Sequence, residues 1–588
     1  MKIVRNCVLA VKLIFQYAFR HGLLYVLVCL IPGFFGGIRV ILVQKLVDRG
    51  LVLAGTGQGL EMMAVTGTLL VTVLFFWFVL ERLQGYEDKL LEIRLIGSMA
   101  PDIMEKLNGI EYSAFEQKEI QMILQRIGGE PWQNVKSCFS ASVCTVQALL
   151  SVFFLLGVYA SLSPWIGMGI FLVAVPMVFL NFAATRRLQA VISGTTPQMR
   201  RIEDLKRLFQ DRNAMYEMKI FGSQEWIAGK WDMAASGIET EISRAGRKVL
   251  ALEGGSKMLN ITYFVFMIVA MTYLFLQERV TVGQYAAVIG SLSTVIGQIQ
   301  NASWNVTNTF KNALDMEYYR EFLAIPARRD RRNVDTLSHG DIVFENVSFS
   351  YPGSDREVLK NVTFRIKAGE KVAFVGENGA GKSTIVKLLC GLYEPDAGRV
   401  MMGGVDIRDL SEEKRRKCLT VVFQDFQGYE LTLRENVALG DIDGLEDDAR
   451  ILEALRQAGG EELYLHEKKG LEQNLGHLEA DGKDLSRGQW QRVAGARAFM
   501  ADAAFCILDE PTAALDPVAE SRMYENFARI FRKKGTIMIS HRLASAKMAD
   551  RIMVLDGGRI VQNGSHGKLM ETEGLYRTMY LAQSSWYN

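Results

Sequence analysis

The sequence predicts a multidomain chain: an all-α domain of six transmembrane helices, followed by an α/β domain built on a phosphate-binding P-loop. Three observations carry this. The 588 residues are too many for one core. Apolar, charge-poor runs crowd into about the first 310 residues, while the remainder has the charge density of a soluble domain. Val375-Gly376-Glu377-Asn378-Gly379-Ala380-Gly381-Lys382-Ser383-Thr384 follows an apolar strand-like run, Lys371 to Phe374, and opens a helix-like one, Ile385 to Leu392.

In chain order, residues 1–20 place Lys2, Arg5, Lys12 and Arg20 among apolar residues at helical spacing, an amphipathic helix expected on the membrane surface. His21 to Val43 is a first span, apolar apart from Arg39 and kinked at Pro32-Gly33. Met62 to Leu80 is a charge-free second. No charged residue stands between Lys136 and Arg186, a run of about fifty positions. A single helix crosses with about twenty, so this run is two spans joined at Ser163-Pro164. Met258 to Gln277 is the fifth and Val280 to about Ala302 the sixth.

Two readings stay open for the sixth span, which is rich in Gln, Ser and Asn: it faces a hydrated path, or its second half has left the bilayer. Arg39 either lines that path or snorkels to the outer interface, the second being favoured. Segments after spans two and four are long and rich in Lys and Arg, whereas the turns after one, three and five are short and poor in them. The long segments, both termini and the second domain are therefore expected on the cytoplasmic side of a bacterial-type cell membrane. Folded as helical hairpins, the long segments project roughly 40–50 Å. Their tips are expected at Asn108–Gln117 and Asn213–Trp226.

The domain limits are 1–322 for the spans and arms, 323–340 for an arginine-rich linker and 341–588 for the α/β domain. A formal net charge of +2 gives no support to nucleic acid as a partner. The seven cysteines lack CxxC or His companions and read as small buried residues.

The P-loop glycines let successive N–H groups turn into one concavity, reinforced by the positive end of the following helix. Gly376, Asn378, Gly379, Gly381, Lys382, Ser383 and Thr384 are the candidate ATP contacts. Lys382 reaches the β- and γ-phosphates and the Ser383 hydroxyl ligates Mg²⁺. Tyr351, just past the strand Ile342–Phe349, can stack on adenine. Ala504 to Glu510 reads as a buried strand ending in two carboxylates, with Asp509 placed to hold Mg²⁺ and Glu510 to orient or deprotonate the attacking water. A second strand, Thr536–Ser540, ends at His541, which can bridge the γ-phosphate and that base. Gln424 interrupts an apolar strand and joins both the catalytic and the metal set.

Leu485-Ser486-Arg487-Gly488-Gln489, followed by Gln491-Arg492-Val493-Ala494-Gly495, closely resembles the signature of the ATP-binding cassette (ABC) family. With the motifs above, the resemblance covers residues 341–588, and six spans ahead of one cassette extend it to an exporter-type half-transporter. The resemblance implies an ATP hydrolase that moves an unidentified substrate across a lipid bilayer, exporting it. Alternatives are an importer on an exporter-like fold, for example for a metal chelate, and an ATP-gated regulator. Two cassettes are expected to close head to tail around two ATP molecules, so that Ser486 and Gly488, with Gln489 beside them, meet the γ-phosphate held by a second half-transporter. A homodimer is favoured, because Lys382, Gln424, Asp509, Glu510 and His541 are all present. The arm tips are expected to dock near the Gln424 loop. Arg487 departs from the family's usual Gly, and residues 476–482 match its cross-linking loop only loosely. No peptidase-like segment precedes the spans, which argues against an exporter that trims its cargo.

Overall fold

The computed structural model describes residues 2–128, 130–162, 164–327, 340–509, 534–539 and 546–584. The chain forms two compact units, Met1–Gly109 with Met122–Ile325, and Ile110–Gln121 with Pro326–Asn588.

The first unit is helical: α1 (Lys2–Tyr17), α2 (Phe19–Leu30), α3 (Phe35–Thr56), α4 (Leu60–Asn108), α5 (Lys118–Ile127), α6 (Pro131–Leu162), α7 (Pro164–Gly194), α8 (Thr196–Gln210), α9 (Arg212–Phe221), α10 (Gln224–Leu276) and α11 (Val282–Ala324). Among the described residues, α2 with α3, α4, α6, α10 and α11 are long and apolar enough to cross a membrane. The sequence places a further span in α7. The apolar window of α4 is only 6% buried, the exposure expected of a helix whose neighbour is lipid. The kink in the first span is a 3-10 turn, Ile31–Phe34, built on Pro32 and Gly33.

α1 does more than the surface helix expected. Asn6, Ala10, Leu13 and Ile14 are buried, and the Asn6 amide donates to the Ala313 carbonyl of α11 at 2.8 Å. Val4 and Val8 remain exposed on another face. α4 and α10, with 49 and 53 residues, are far longer than a span and carry the arms. The second tip is α9, capped by Asp211, whose carboxylate accepts from the Ala214 N–H at 2.8 Å. Tyr216, Ile220, Phe221 and Trp226 are exposed there.

At the opposite end α3 holds the start of α11. Asp48 accepts from the Gly283 N–H at 2.8 Å and from the Thr281 hydroxyl at 2.9 Å, so one carboxylate satisfies donors that the helix leaves open. A Cβ on Gly283 would collide with Asp48 and with the Gln44 carbonyl.

The second unit is α/β. An antiparallel sheet has the order β2-β1-β4-β5, from β1 (Ile342–Ser350), β2 (Glu357–Ile366), β4 (Ala397–Met402) and β5 (Val405–Asp406). A mostly parallel sheet has the order β10-β9-β3-β8-β7-β6, from β3 (Lys371–Gly376), β6 (Leu419–Val422), β7 (Phe505–Asp509), β8 (Gly535–Ile539), β9 (Arg551–Asp556) and β10 (Arg559–Gly564). Strands β3, β8, β7 and β6 run parallel, with Phe374 and Asp509 both paired to Ile539 and Val422 to Leu508. The P-loop, the Asp509 carboxylate and the Gln424 loop therefore leave one edge of the sheet, where α/β folds bind ligands. Helices here include α12 (Lys382–Leu389), α13 (Glu412–Cys418), α14 (Leu433–Ala438), α15 (Asp448–Gln457), α16 (Glu462–Leu465) and α17 (Arg487–Met500).

The first arm tip belongs to this unit. Ile110 forms a bridge with Ala327, and the Tyr112 ring meets Tyr393 edge-on at 5.7 Å.

Candidate active site

Tyr351, Asn378, Gly379, Gly381, Lys382, Ser383, Thr384 and Gln424 line one cleft of about 760 Å³. Its shape starts at the end of β3. Gly376 has φ 152°, and a Cβ there would collide with the Leu555 carbonyl of β9, so the loop can leave the strand only through glycine. Gly381 then stands at the N-cap of α12, and the N–H groups of its first turn open toward the cleft. Lys382 is 5% exposed, and its Nζ donates to the carbonyls of Gly376 at 2.8 Å and Glu377 at 2.9 Å. Ser383 is exposed beside it.

Tyr351 is fixed at the other end of the cleft. Its hydroxyl shares a hydrogen bond of 3.0 Å with Thr384, and its ring packs edge-on against Phe349 at 5.2 Å and Tyr393 at 5.4 Å. The Lys387 ammonium lies 4.9 Å from the Tyr351 centroid and 5.6 Å from that of Tyr393. Burial, and next the Glu116 carboxylate of the arm tip, push the Tyr393 phenol well above its ordinary range. Phe349, Tyr351, Tyr393 and Tyr112 thus run unbroken from the cleft to the arm tip.

Asp509 closes β7 and is 8% exposed, one strand beyond β8 from the P-loop strand. Glu510 and His541, which follow the ends of β7 and β8 in sequence, lie outside the described residues. Ser486, Gly488 and Gln489 are not among the residues lining the cleft. Ser486 caps α17, accepting from the Gln489 N–H at 3.3 Å, while the Gln489 side chain accepts from the Ser486 N–H at 3.0 Å. Arg487 is exposed in the first turn of that helix.

Sequence reasoning missed several of the cleft's residues: Arg356 just ahead of β2, Glu357, Val358 and Lys360 at its start, and Gly557-Gly558 between β9 and β10. The glycine pair signals a turn, but nothing in sequence says that this turn faces the P-loop.

The loop after Gln424 is tied to α17. A Cβ on Gly428 would stand 2.9–3.1 Å from the Trp490 indole, so the two pack face to backbone. Arg497 donates to the Asn436 carbonyl at 2.9 Å, the Asn436 side chain at 2.8 Å and the Gln427 carbonyl at 2.8 Å, with the Tyr429 ring 5.0 Å from its guanidinium carbon. Burial draws its pKa below the ordinary value, and a guanidinium still stays charged. Arg497→Ala strands several buried acceptors and should cost about 2–4 kcal/mol. Thermal unfolding of the purified chain checks this; Arg497→Lys recovers only part, and an unchanged midpoint in the alanine variant would refute the tie.

A family profile described as "ABC transporter" matches residues 359–513. The subtilin transport ATP-binding protein SpaT of Bacillus subtilis is 29% identical over 514 residues, 86% of this chain and 83% of that protein. The nisin transport ATP-binding protein NisT of Lactococcus lactis subsp. lactis is 28% identical over 583 residues, 97% of this chain and 95% of that one. An ATP-dependent lipid A-core flippase of Alcanivorax borkumensis is 34% identical over 373 residues, 62% of each chain. Among solved structures, a bacterial Atm1-family ABC exporter with ATP bound superposes with a TM-score of 0.75 at 22% identity, covering 95% of this chain and 98% of the other.

Proposed function

Because the chain belongs to the ABC transporters of exporter type, coupling ATP hydrolysis to transport across a membrane, we propose that it is one half of a homodimeric exporter. Its cassettes would face the cytoplasm. The observation that carries the dimer is the separation of the candidate residues. Eight line one cleft, whereas Ser486, Gly488 and Gln489 are not among its lining. A second copy would bring its own Ser486 helix to this cleft and complete it.

In this reading Tyr351 stacks on adenine, and the P-loop N–H groups and Lys382 hold the phosphates. Glu510 takes a proton from the attacking water, with His541 orienting both. The oxygen donors of Ser383, Gln424 and Asp509 suit Mg²⁺, a hard cation. When bound it neutralises charge on the phosphates. The exposed aromatic residues of α9 offer a docking tip for the partner's cassette.

The test is to purify the chain expressed alone and reconstitute it in liposomes. A two-chain particle with cooperative ATP hydrolysis, occluding two ATP in its Glu510→Gln form, is the expected result. An inactive monomer that needs a second gene product would overturn the homodimer.

A further inference from the structure

Arg39 lies inside the membrane half with no counter-charge nearby. Its guanidinium donates to the Thr294 hydroxyl of α11 at 2.9 Å, and among the described residues it makes no ion pair. Sequence supplies no Asp or Glu at positions 35–47 of α3, 62–80 of α4, 137–162 of α6, 164–185 of α7, 254–276 of α10 or 282–314 of α11. A cation in hydrocarbon surroundings, with no carboxylate in these stretches of the helices around it, is costly unless something else neutralises it.

Snorkelling does not supply that relief. Asp48 on α3 and Gly283 on α11 are hydrogen-bonded and give both antiparallel helices a common outer mark. Measured from it at 1.5 Å per residue, Arg39 lies about 13 Å deep and Thr294 about 17 Å deep. The guanidinium therefore turns inward, toward the middle of a hydrocarbon core about 30 Å thick.

Polar groups of other helices gather at the same level. The Tyr159 hydroxyl donates to Ser291 at 2.6 Å, and the Ser291 proton goes to the Ala287 carbonyl at 2.5 Å. Tyr159 and Tyr263 belong to one buried cluster with Val40, the neighbour of Arg39 on α3, and with Leu292 and Val295, which flank Thr294 on α11. Tyr263 is 2% exposed, and its hydroxyl has no hydrogen-bond partner among the described residues; the side-chain Oδ1 of Asn260, three residues away on α10, has none either. A buried, unsatisfied hydroxyl costs about 1–3 kcal/mol, a cost that a bound ligand accepting its proton would relieve. Met267, Met271, Leu292 and Val295 make the surroundings apolar.

We propose that Arg39, with the Thr294 and Tyr263 hydroxyls, forms an anion subsite within the spans, which takes the anionic oxygen head group of an amphiphilic cargo. The proposal rests on the transporter reading above and names its substrate class. Arg39 supplies charge, the hydroxyls supply neutral donors, and the methionine and leucine walls accept hydrocarbon. A cationic cargo would meet like charge with no compensating acid.

The experiment is equilibrium binding to the purified full chain in neutral detergent, using radiolabelled lauroyl-lysophosphatidic acid and, as the chain-matched neutral probe, monolaurin. The phosphate probe should bind at least about tenfold more tightly, a difference near 1.4 kcal/mol. Arg39→Gln should abolish that preference, Arg39→Lys should keep much of it, and Tyr263→Phe should reduce it several-fold. Equal binding of both probes by the native chain, or an intact preference in Arg39→Gln, would overturn the site. If Arg39→Gln does not fold, Tyr263→Phe decides, because it removes only a hydroxyl; unchanged affinity there would overturn the site as drawn. Competition by inorganic phosphate would support the anion subsite with a soluble cargo, and its absence supports the amphiphile. ATP hydrolysis in the same preparation reads the transporter assignment separately: hydrolysis without phosphate preference ends this site alone, and no hydrolysis ends the reading beneath it.

Discussion

Replacing Glu510 by Gln is expected to lower ATP turnover by about 10²–10⁴-fold while ATP still binds. The reason lies in β7. All five residues of that strand are buried, and Leu508 and Asp509 are paired to Met538 and Ile539 of β8. The strand therefore ends at the same sheet edge as the P-loop, and Glu510 is the next residue in sequence. An amide has the shape of the carboxylate but cannot take a proton from water, so chemistry should fall while binding survives. Phosphate release and nucleotide binding on one preparation check this. Turnover at the native rate would assign the base to another group.

Lys382→Met should be nearly as severe, but on affinity. The lysine Nζ now bonds two loop carbonyls, Gly376 and Glu377, and is 95% shielded from solvent at the foot of the cleft, being 5% exposed. Phosphate oxygens would receive the same protons in charge-assisted bonds worth about 1.5–3 kcal/mol each. Losing two of them weakens ATP binding by about 10²-fold or more. Methionine matches the length of the stem, so α12 should still form. Equilibrium binding of a fluorescent ATP analogue measures the effect, and native affinity would place the phosphates elsewhere.

The cleft was legible in sequence to the extent that its chemistry is local. Gly376 to Thr384 occupy consecutive positions between a strand and a helix, so pattern and geometry coincide. Tyr351 and Gln424 were legible because each directly follows an apolar strand, and strand ends gather at one sheet edge. Arg356, Lys360 and Gly558 were not, since their place depends on how β2 and the β9–β10 turn cross the P-loop, a through-space fact with no periodicity. The Gly428–Trp490 contact was hidden for the same reason. Spans were legible from hydropathy, which counts apolar residues. The partner of Arg39 was not, because hydropathy does not say which helices adjoin. α1 was read as a surface helix because its pattern is amphipathic, and a helix that buries one stripe against protein has that same pattern.

The cassette unit is not one continuous stretch of chain, and this bears on how such genes can be exchanged. Twelve residues of the arm, Ile110–Gln121, belong to it, and Tyr112 from that piece lies on Tyr393. A recombination joining foreign spans to this cassette at residues 323–340 carries Tyr393, Tyr351 and the whole P-loop, but leaves Tyr112 behind with the discarded half. The hybrid inherits the whole cleft and loses a fitted contact far upstream in the gene. Spans and cassette of this transporter are thus bound to a shared lineage by a segment that no cut at the linker can keep together.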